Sequence, residues 1–167
     1  PGGGSVAALS GGLAAALTAM VANLTVGKKN YESVSDEMEL YAGRMIQMKT
    51  AFVEFIDKDA SSFDGVMKAF KLPKETDEEK EARTAAIQDG YKEAIAVPLA
   101  VAKASAELFD IIEAVVEKGN KNALSDGLVA AMTARTAVLG ALYNVKINLG
   151  SVKDVNYVEK ITSEVAA

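Results

Sequence analysis

From Ser35 to Phe70 an apolar residue returns at nearly every third or fourth position: Met38, Tyr41, Met45, Met48, Phe52, Phe55, Ile56, Phe63, Val66, Met67 and Phe70, with no proline among them. This is the period of an α-helix that turns one face to a core. So long a stripe has to be covered by other long helices, and this constrains the architecture more than any short motif. The chain of 167 residues holds only 3 prolines, and its Val and Ile do not gather into alternating strands. The pattern therefore predicts an all-α fold, an antiparallel bundle of about five long helices in a single domain, residues 1–167.

Punctuation places the remaining helices. The first is expected to start on Ser5 as N-cap behind Pro1-Gly2-Gly3-Gly4 and to run to Leu24 or Val26. Its Ala, Gly, Ser, Leu and Val carry almost no charge, so it should be buried, with Gly11-Gly12 allowing close backbone approach. Leu72-Pro73 ends the second helix, and Thr76 with Glu79 forms a capping box that opens the third, which runs through Ile95. Pro98 falls inside the continuing pattern and predicts a kink, after which Leu108, Ile111, Ile112 and Val115 carry the helix to Gly119. Ser125 or Asn122 is expected to cap the next helix, which reaches Asn148, is apolar on most sides and should be central. A short helix near Asp154 follows the Gly150-Ser151 break. No apolar run approaches the ~18 residues of a membrane span without polar interruption, so no membrane partner is expected.

Two absences limit the chemistry. With no Cys and no His, thiolate metal sites, cysteine nucleophiles, Ser-His-Asp triads and histidine acid–base catalysis are all excluded. Any enzyme built from this chain moves protons through carboxylates, Lys, Tyr, hydroxyls or water. No metal site is expected, since no D-x-D or EF-hand spacing is present. A net charge of −5 with no basic tract predicts no nucleic-acid partner. The lack of Cys and of a signal-peptide pattern fits a cytoplasmic protein, and the start at Pro1 without Met suggests a trimmed N-terminus.

Candidate site residues are polar groups on apolar stripes, where an unpaired charge costs several kcal/mol. Asp59 lies four residues from both Phe55 and Phe63, on or beside the longest stripe. Asp126 follows a cap, where an acid also complements the helix dipole. Arg135 is the only charge between Asp126 and Lys146. Asn144 and Asn148, four apart, share one helix face. Lys28 and Lys29 leave the first helix beside Asn23 as a compact polar exit, and the Pro1–Ser5 segment has the look of a glycine-rich anion cradle without a Walker ending.

Taken in order, Pro1-Gly2-Gly3-Gly4-Ser5-Val6-Ala7-Ala8, Met20-Val21-Ala22-Asn23-Leu24-Thr25, Gly27-Lys28-Lys29, Ile56-Asp57-Lys58-Asp59-Ala60, Lys71-Leu72-Pro73-Lys74, Gly119-Asn120 with Ser125-Asp126, and Asn144-Val145-Lys146-Ile147-Asn148-Leu149 resemble one family over nearly the whole chain. It is the family of the cyclodeaminase domain of formimidoyltransferase-cyclodeaminase, which includes stand-alone methenyltetrahydrofolate cyclohydrolases. The resemblance implies an α-helical homodimer with folate in a cleft near the subunit interface. It also implies that the folate is the substrate, without a separate cofactor, and that a further helical segment commonly precedes the Pro-Gly-Gly-Gly-Ser motif. The expected activity is cyclisation of 5-formimidoyltetrahydrofolate to 5,10-methenyltetrahydrofolate with release of ammonia. The alternatives are the cyclohydrolase reaction or a non-catalytic folate-binding or assembly module. Asp59 and then Asp126 are the expected acid–base groups. Ser5, Asn23, Arg135, Asn144 and Asn148 are expected to bind substrate, with Lys28 and Lys29 on the glutamate tail.

Overall fold

A computed structural model describes residues 2–166, and they form six α-helices, two short 3₁₀ turns and no strand among the described residues. The helices are α1 (Gly3–Asn23), α2 (Ser35–Phe70), α3 (Asp77–Ala106), α4 (Leu108–Lys118), α5 (Leu124–Leu149) and α6 (Val155–Ala166). At ~1.5 Å per residue the 36 residues of α2 span about 54 Å, well beyond the 21 residues of α1. Helices α1, α2, α3 and α5 pack in a ring, each against the next. Neighbours run antiparallel: Gly4 meets Asp59 while Gly11 meets Phe52, and Gly3 meets Asn144 while the end of α1 meets Asn120. The all-α antiparallel bundle read from the periodicity is the fold.

The core is built on small residues. Ala7, Ala8, Ala14, Ala15 and Ala22 of α1 and Ala130, Ala134, Ala137 and Ala141 of α5 are buried, and the larger side chains come from α2 (Met38, Met45, Phe52 and Val66) and α4. Phe52 fits because Gly11 has no side chain: a Cβ there would lie 2.4 Å from the ring. A second cluster of Ile95, Val145 and Ile161 lies under α6.

Several boundaries differ from the sequence reading. Helix α1 begins at Gly3 with Gly2 as N-cap, so Ser5 is inside the helix and caps nothing. Pro1 lies outside the described residues. Neither Ser125 nor Asn122 caps α5: its N-cap is Ala123, after a 3₁₀ turn, Lys121–Ala123, in which the Asn120 side chain accepts from the Asn122 N–H. The capping box at Thr76 and Glu79 is formed on both sides. Helix α3 continues through Pro98, and a one-residue break at Glu107 separates it from α4.

Helix α5 is not the centre of the bundle. Only its small-residue face is covered, while Met132, Tyr143 and Ile147 are 69%, 69% and 75% exposed. Polar residues interrupt every long apolar run, as read from the sequence, yet two helices are long and apolar enough on average to cross a membrane. They are Gly3–Asn23, interrupted only by Ser, Thr and Gly, and Lys121–Leu149, which also carries charged residues such as Arg135. In this fold α1 is packed between α2 and α5.

Helix α6 packs Ile161, Tyr157 and Val165 on Ile95 and Val145, and polar contacts tie it and the turn before it to α3. Lys92 Nζ is 2.8 Å from Asp154 Oδ2, Lys103 pairs with Glu164, and the Gln88 amide bonds Ser151 O and the Lys153 N–H. Asp154 also caps α6, accepting from the Tyr157 N–H at 3.1 Å. The Lys92 ammonium, and after it this backbone donor, holds the Asp154 carboxyl below the usual carboxylate range. A lowered value in the fold means that the contribution is complete above the unfolded carboxyl's range and is lost as pH falls through the folded value. Hydrogen exchange, corrected for intrinsic rates, should show first-turn protection in α6 that is steady near neutrality and declines below about pH 4. Asp154→Asn should remove that decline in the first turn while leaving the last turn, governed by Glu164, to respond as before.

Candidate active site

The glycines at the start of α1 let an acid from α2 come against the backbone. The first recorded bond to this turn is Val6 N–H to Gly2 O at 3.0 Å, so the Gly3, Gly4 and Ser5 N–H groups precede any intrahelical acceptor. Asp59 crosses from α2 to this positive helix end, where a carboxylate is favoured by ~0.3–1 kcal/mol. The Ser5 hydroxyl donates to Asp59 Oδ2 at 2.8 Å and reaches Ile56 O at 3.4 Å. A Cβ on Gly4 would stand 2.1 Å from Asp59 Oδ1 and 2.6 Å from its Cγ. Only glycine fits at residue 4 while Asp59 keeps this place.

Helix α5 supplies the opposite wall. Asn144 Nδ2 donates to Gly140 O at 2.8 Å, one turn back, and the carboxamide packs on Gly3. Asn148 Nδ2 donates across to Ala94 O of α3 at 3.1 Å. Between these groups lies a cavity of about 550 Å³, within the ~300–1,000 Å³ typical of small-molecule sites. Its polar lining comprises Gly2–Gly4, Asp59, Ser62, Asp64, Asn144 and Asn148, and its apolar lining Ala60, Phe63, Ala94 and Ile147. The lining has two acids and no basic residue. Phe63, 48% exposed, and Ile147 leave apolar surface at its edge.

The other sequence candidates lie elsewhere. Ser5 is 3% exposed and stands behind Asp59 rather than on the cavity wall. Asn23 is exposed at the far end of α1, about 30 Å from Gly4 along the helix. Lys28 and Lys29 follow it in a turn where Gly27 and Asn30 have φ of 66° and 72°. That end is fastened by Thr25 Oγ1, which accepts from the Asn120 N–H at 2.8 Å, and by Asn120 Nδ2, which donates to Leu24 O at 3.1 Å. Asp126, half-buried in the first turn of α5, belongs to the same end, about 27 Å along the helix from Asn144. Arg135 is exposed midway along α5, with no carboxylate within 4.0 Å among the described residues. The fold therefore brings together Asp59, Asn144, Asn148 and the glycines, and does not bring Asp126, Arg135, Asn23 or the two lysines to them.

Ser62, Asp64 and Ala94 were missed from the sequence. Ser62 was within reach, since it lies three residues beyond Asp59 and so on the same helix face. Ala94 is apolar and matters through its carbonyl, which no side-chain pattern reveals.

The whole chain, residues 1–167, matches the family described as formiminotransferase-cyclodeaminase. It is 42% identical over 164 residues to the methenyltetrahydrofolate cyclohydrolase of Methylorubrum extorquens, covering 98% of this chain and 79% of that protein. It is 36% identical to the formimidoyltransferase-cyclodeaminase of Rattus norvegicus, where all of this chain corresponds to 31% of the relative's length. Among solved structures it resembles the formiminotetrahydrofolate cyclodeaminase of Thermotoga maritima, with a TM-score of 0.87 and 35% identity over 99% of this chain and 79% of that one.

The fit of Gly4 to Asp59 is measurable as a coupling. Gly4→Ala should lose ~1–3 kcal/mol of stability in urea unfolding, the scale of an overpacked contact. With Asp59→Ala already in place the same change should cost much less, because the atoms it meets are gone. Equal losses in both backgrounds would mean that Asp59 does not occupy this niche.

Proposed function

The chain belongs to the formiminotransferase-cyclodeaminase family, and from that premise and the acid-bearing cavity we propose that it cyclises 5-formimidoyltetrahydrofolate to 5,10-methenyltetrahydrofolate. The family places it among folate one-carbon enzymes. The observation that carries the residue assignment is Asp59, a half-buried carboxylate on the cavity wall with one oxygen taken by Ser5.

In this reaction N10 of the folate attacks the formimino carbon held on N5. The N10–carbon bond forms, the carbon–nitrogen bond to the former imine breaks, and ammonia leaves. The N10 proton is given up and the leaving nitrogen takes protons, one of them ultimately from solvent. Asp59 accepts the first proton and returns it to the leaving nitrogen, the general acid–base role open to a protein without His. Both reacting nitrogens belong to one molecule, so holding the near-attack geometry supplies much of the rate. The Ser5 hydrogen bond fixes the rotamer of the carboxylate, and the first-turn N–H groups of α1 keep its charge favourable between turnovers.

A second reading has its own support, since the relative with 42% identity carries the name methenyltetrahydrofolate cyclohydrolase. There, water adds to the methenyl carbon and the same carboxylate takes its proton. Absorbance assays of methenyltetrahydrofolate formation and of its hydrolysis, run side by side, separate the two. In the productive assay Asp59→Asn should lower kcat by ~10²–10⁴-fold, the usual scale for losing an acid–base group. Asp126→Asn should leave kcat near that of the parent. The reverse result would transfer the role to Asp126, and full activity in both would make catalysis purely positional.

The active form is a homodimer in this reading, with no separate cofactor. Large apolar side chains on α1 (Val6, Leu9 and Leu13), at its C-cap (Leu24) and on α5 (Leu128, Met132, Tyr143 and Ile147) are exposed in a single copy, the kind of surface that association between copies would cover. No basic residue lines the cavity, so the glutamate carboxylates of folate must meet cations beyond it. Lys28 and Lys29 can serve there only when a neighbouring subunit brings its own pair close. Light scattering should give about twice the 17.5 kDa chain mass, and Met132→Lys should shift the population toward monomer.

A further inference from the structure

Pro98 stands inside α3, where it has no N–H to offer. In a regular helix the N–H of residue 98 would bond the carbonyl of residue 94. Ala94 O is the acceptor that Asn148 Nδ2 takes from α5, at 3.1 Å. Both Ala94 and Asn148 line the cavity, and Pro98 and Ala94 are buried. The proline thus opens a backbone acceptor beside the site, and a side chain from another helix fills it.

This settles the orientation of a carboxamide. An Asn side chain is nearly symmetric in shape, and its partner decides which end donates. One N–H of Nδ2 goes to Ala94 O, which fixes Asn148 Oδ1 on the opposite side of the carboxamide, where it has no hydrogen-bond partner among the described residues. Asn144 has the same polarity, its Nδ2 committed to Gly140 O. Together with the Asp59 carboxylate, the two carboxamides offer acceptors to whatever enters, and no Lys or Arg lines the space.

We propose that Pro98 is a positioning residue: by leaving Ala94 O unbonded it locks the Asn148 carboxamide with Oδ1 as an acceptor, and Asn148 reads an N–H donor of the bound ligand. The ligand end that suits an acceptor-rich wall is the reduced pterin, with its ring N–H groups and exocyclic amine, rather than the anionic glutamate end. The choice of the pterin rests on the folate reading above, whereas the lock itself does not.

The test is a set of variants read by thermal stability and by steady-state kinetics with the folate substrate. Asn148→Ala should lower stability and raise KM about 3- to 10-fold with kcat little changed, the scale of one neutral hydrogen bond used equally in ground and transition states. Pro98→Ala returns an N–H to Ala94 O and frees the carboxamide to turn, so the protein should be as stable as the parent or more so, yet KM should rise. In the Pro98→Ala background Asn148→Ala should cost little further stability, because Ala94 O is already bonded. Asn148→Asp carries acceptors and no donor: alone it should bind poorly, and combined with Pro98→Ala it should bind better than Asn148→Ala combined with Pro98→Ala. That recovery has no counterpart if Asn148 merely plugs a helix.

Additive stability losses for Pro98→Ala and Asn148→Ala would overturn the lock. Coupled stabilities with an unchanged KM throughout would overturn the positioning role and leave a structural plug. Should the parent protein turn over no folate, the proposed function falls, while the stability cycle still decides the lock.

Discussion

The close approach of helix backbones through missing side chains governs this molecule. A Cβ on Gly11 would enter the Phe52 ring, and one on Gly4 would enter the Asp59 carboxylate. These contacts are two turns apart on α1, and both are made by α2. Since helices cannot approach so closely where larger side chains intervene, the seam that fills the core with Phe52 also carries Asp59 to the start of α1. Packing and site are thus one construction: the interval of seven residues from Gly4 to Gly11 on α1 matches that from Phe52 to Asp59 on the antiparallel α2.

The two ends of the bundle are built differently. At the far end Thr25 and Asn120 tie the exit of α1 to the turn before α5. At the cavity end polar groups are only half engaged. Ser5 occupies one oxygen of Asp59, and the Asn144 and Asn148 carboxamides have each given one N–H to a backbone carbonyl, with both Oδ1 atoms left over. These half-buried acceptors face the cavity and are available to a ligand. Position distinguishes the two acids: Asp59 lines the cavity with Ser5 behind it, whereas Asp126 lies at the other end of α5.

The small-residue faces have a further consequence. When Ala and Gly face inward, the large apolar residues of the same helices must lie on other faces, and in α5 they face outward. Close packing inside the bundle therefore leaves apolar surface on its exterior.

The periodicity of α2, the scarcity of proline and the capping box at Thr76 were enough to determine the helices and the all-α bundle, because these are local properties set by 3.6-residue spacing and end chemistry. The sequence also singled out Asp59 as an acid on an apolar stripe and paired Asn144 with Asn148 by their spacing. It misread Ser5 as a cap, because a serine after glycines has the same signature whether its hydroxyl turns to its own helix or to an acid 54 residues away. It treated α5 as central, because hydropathy does not tell a buried alanine face from an exposed leucine face on one helix. Only the tertiary structure decided that Asp59 and the start of α1 meet while Asp126 lies at the other end, and that the carbonyl freed by Pro98 falls to Asn148. Those outcomes depend on which helices neighbour each other and in which direction they run, and side-chain spacing within one helix carries no information about its neighbours.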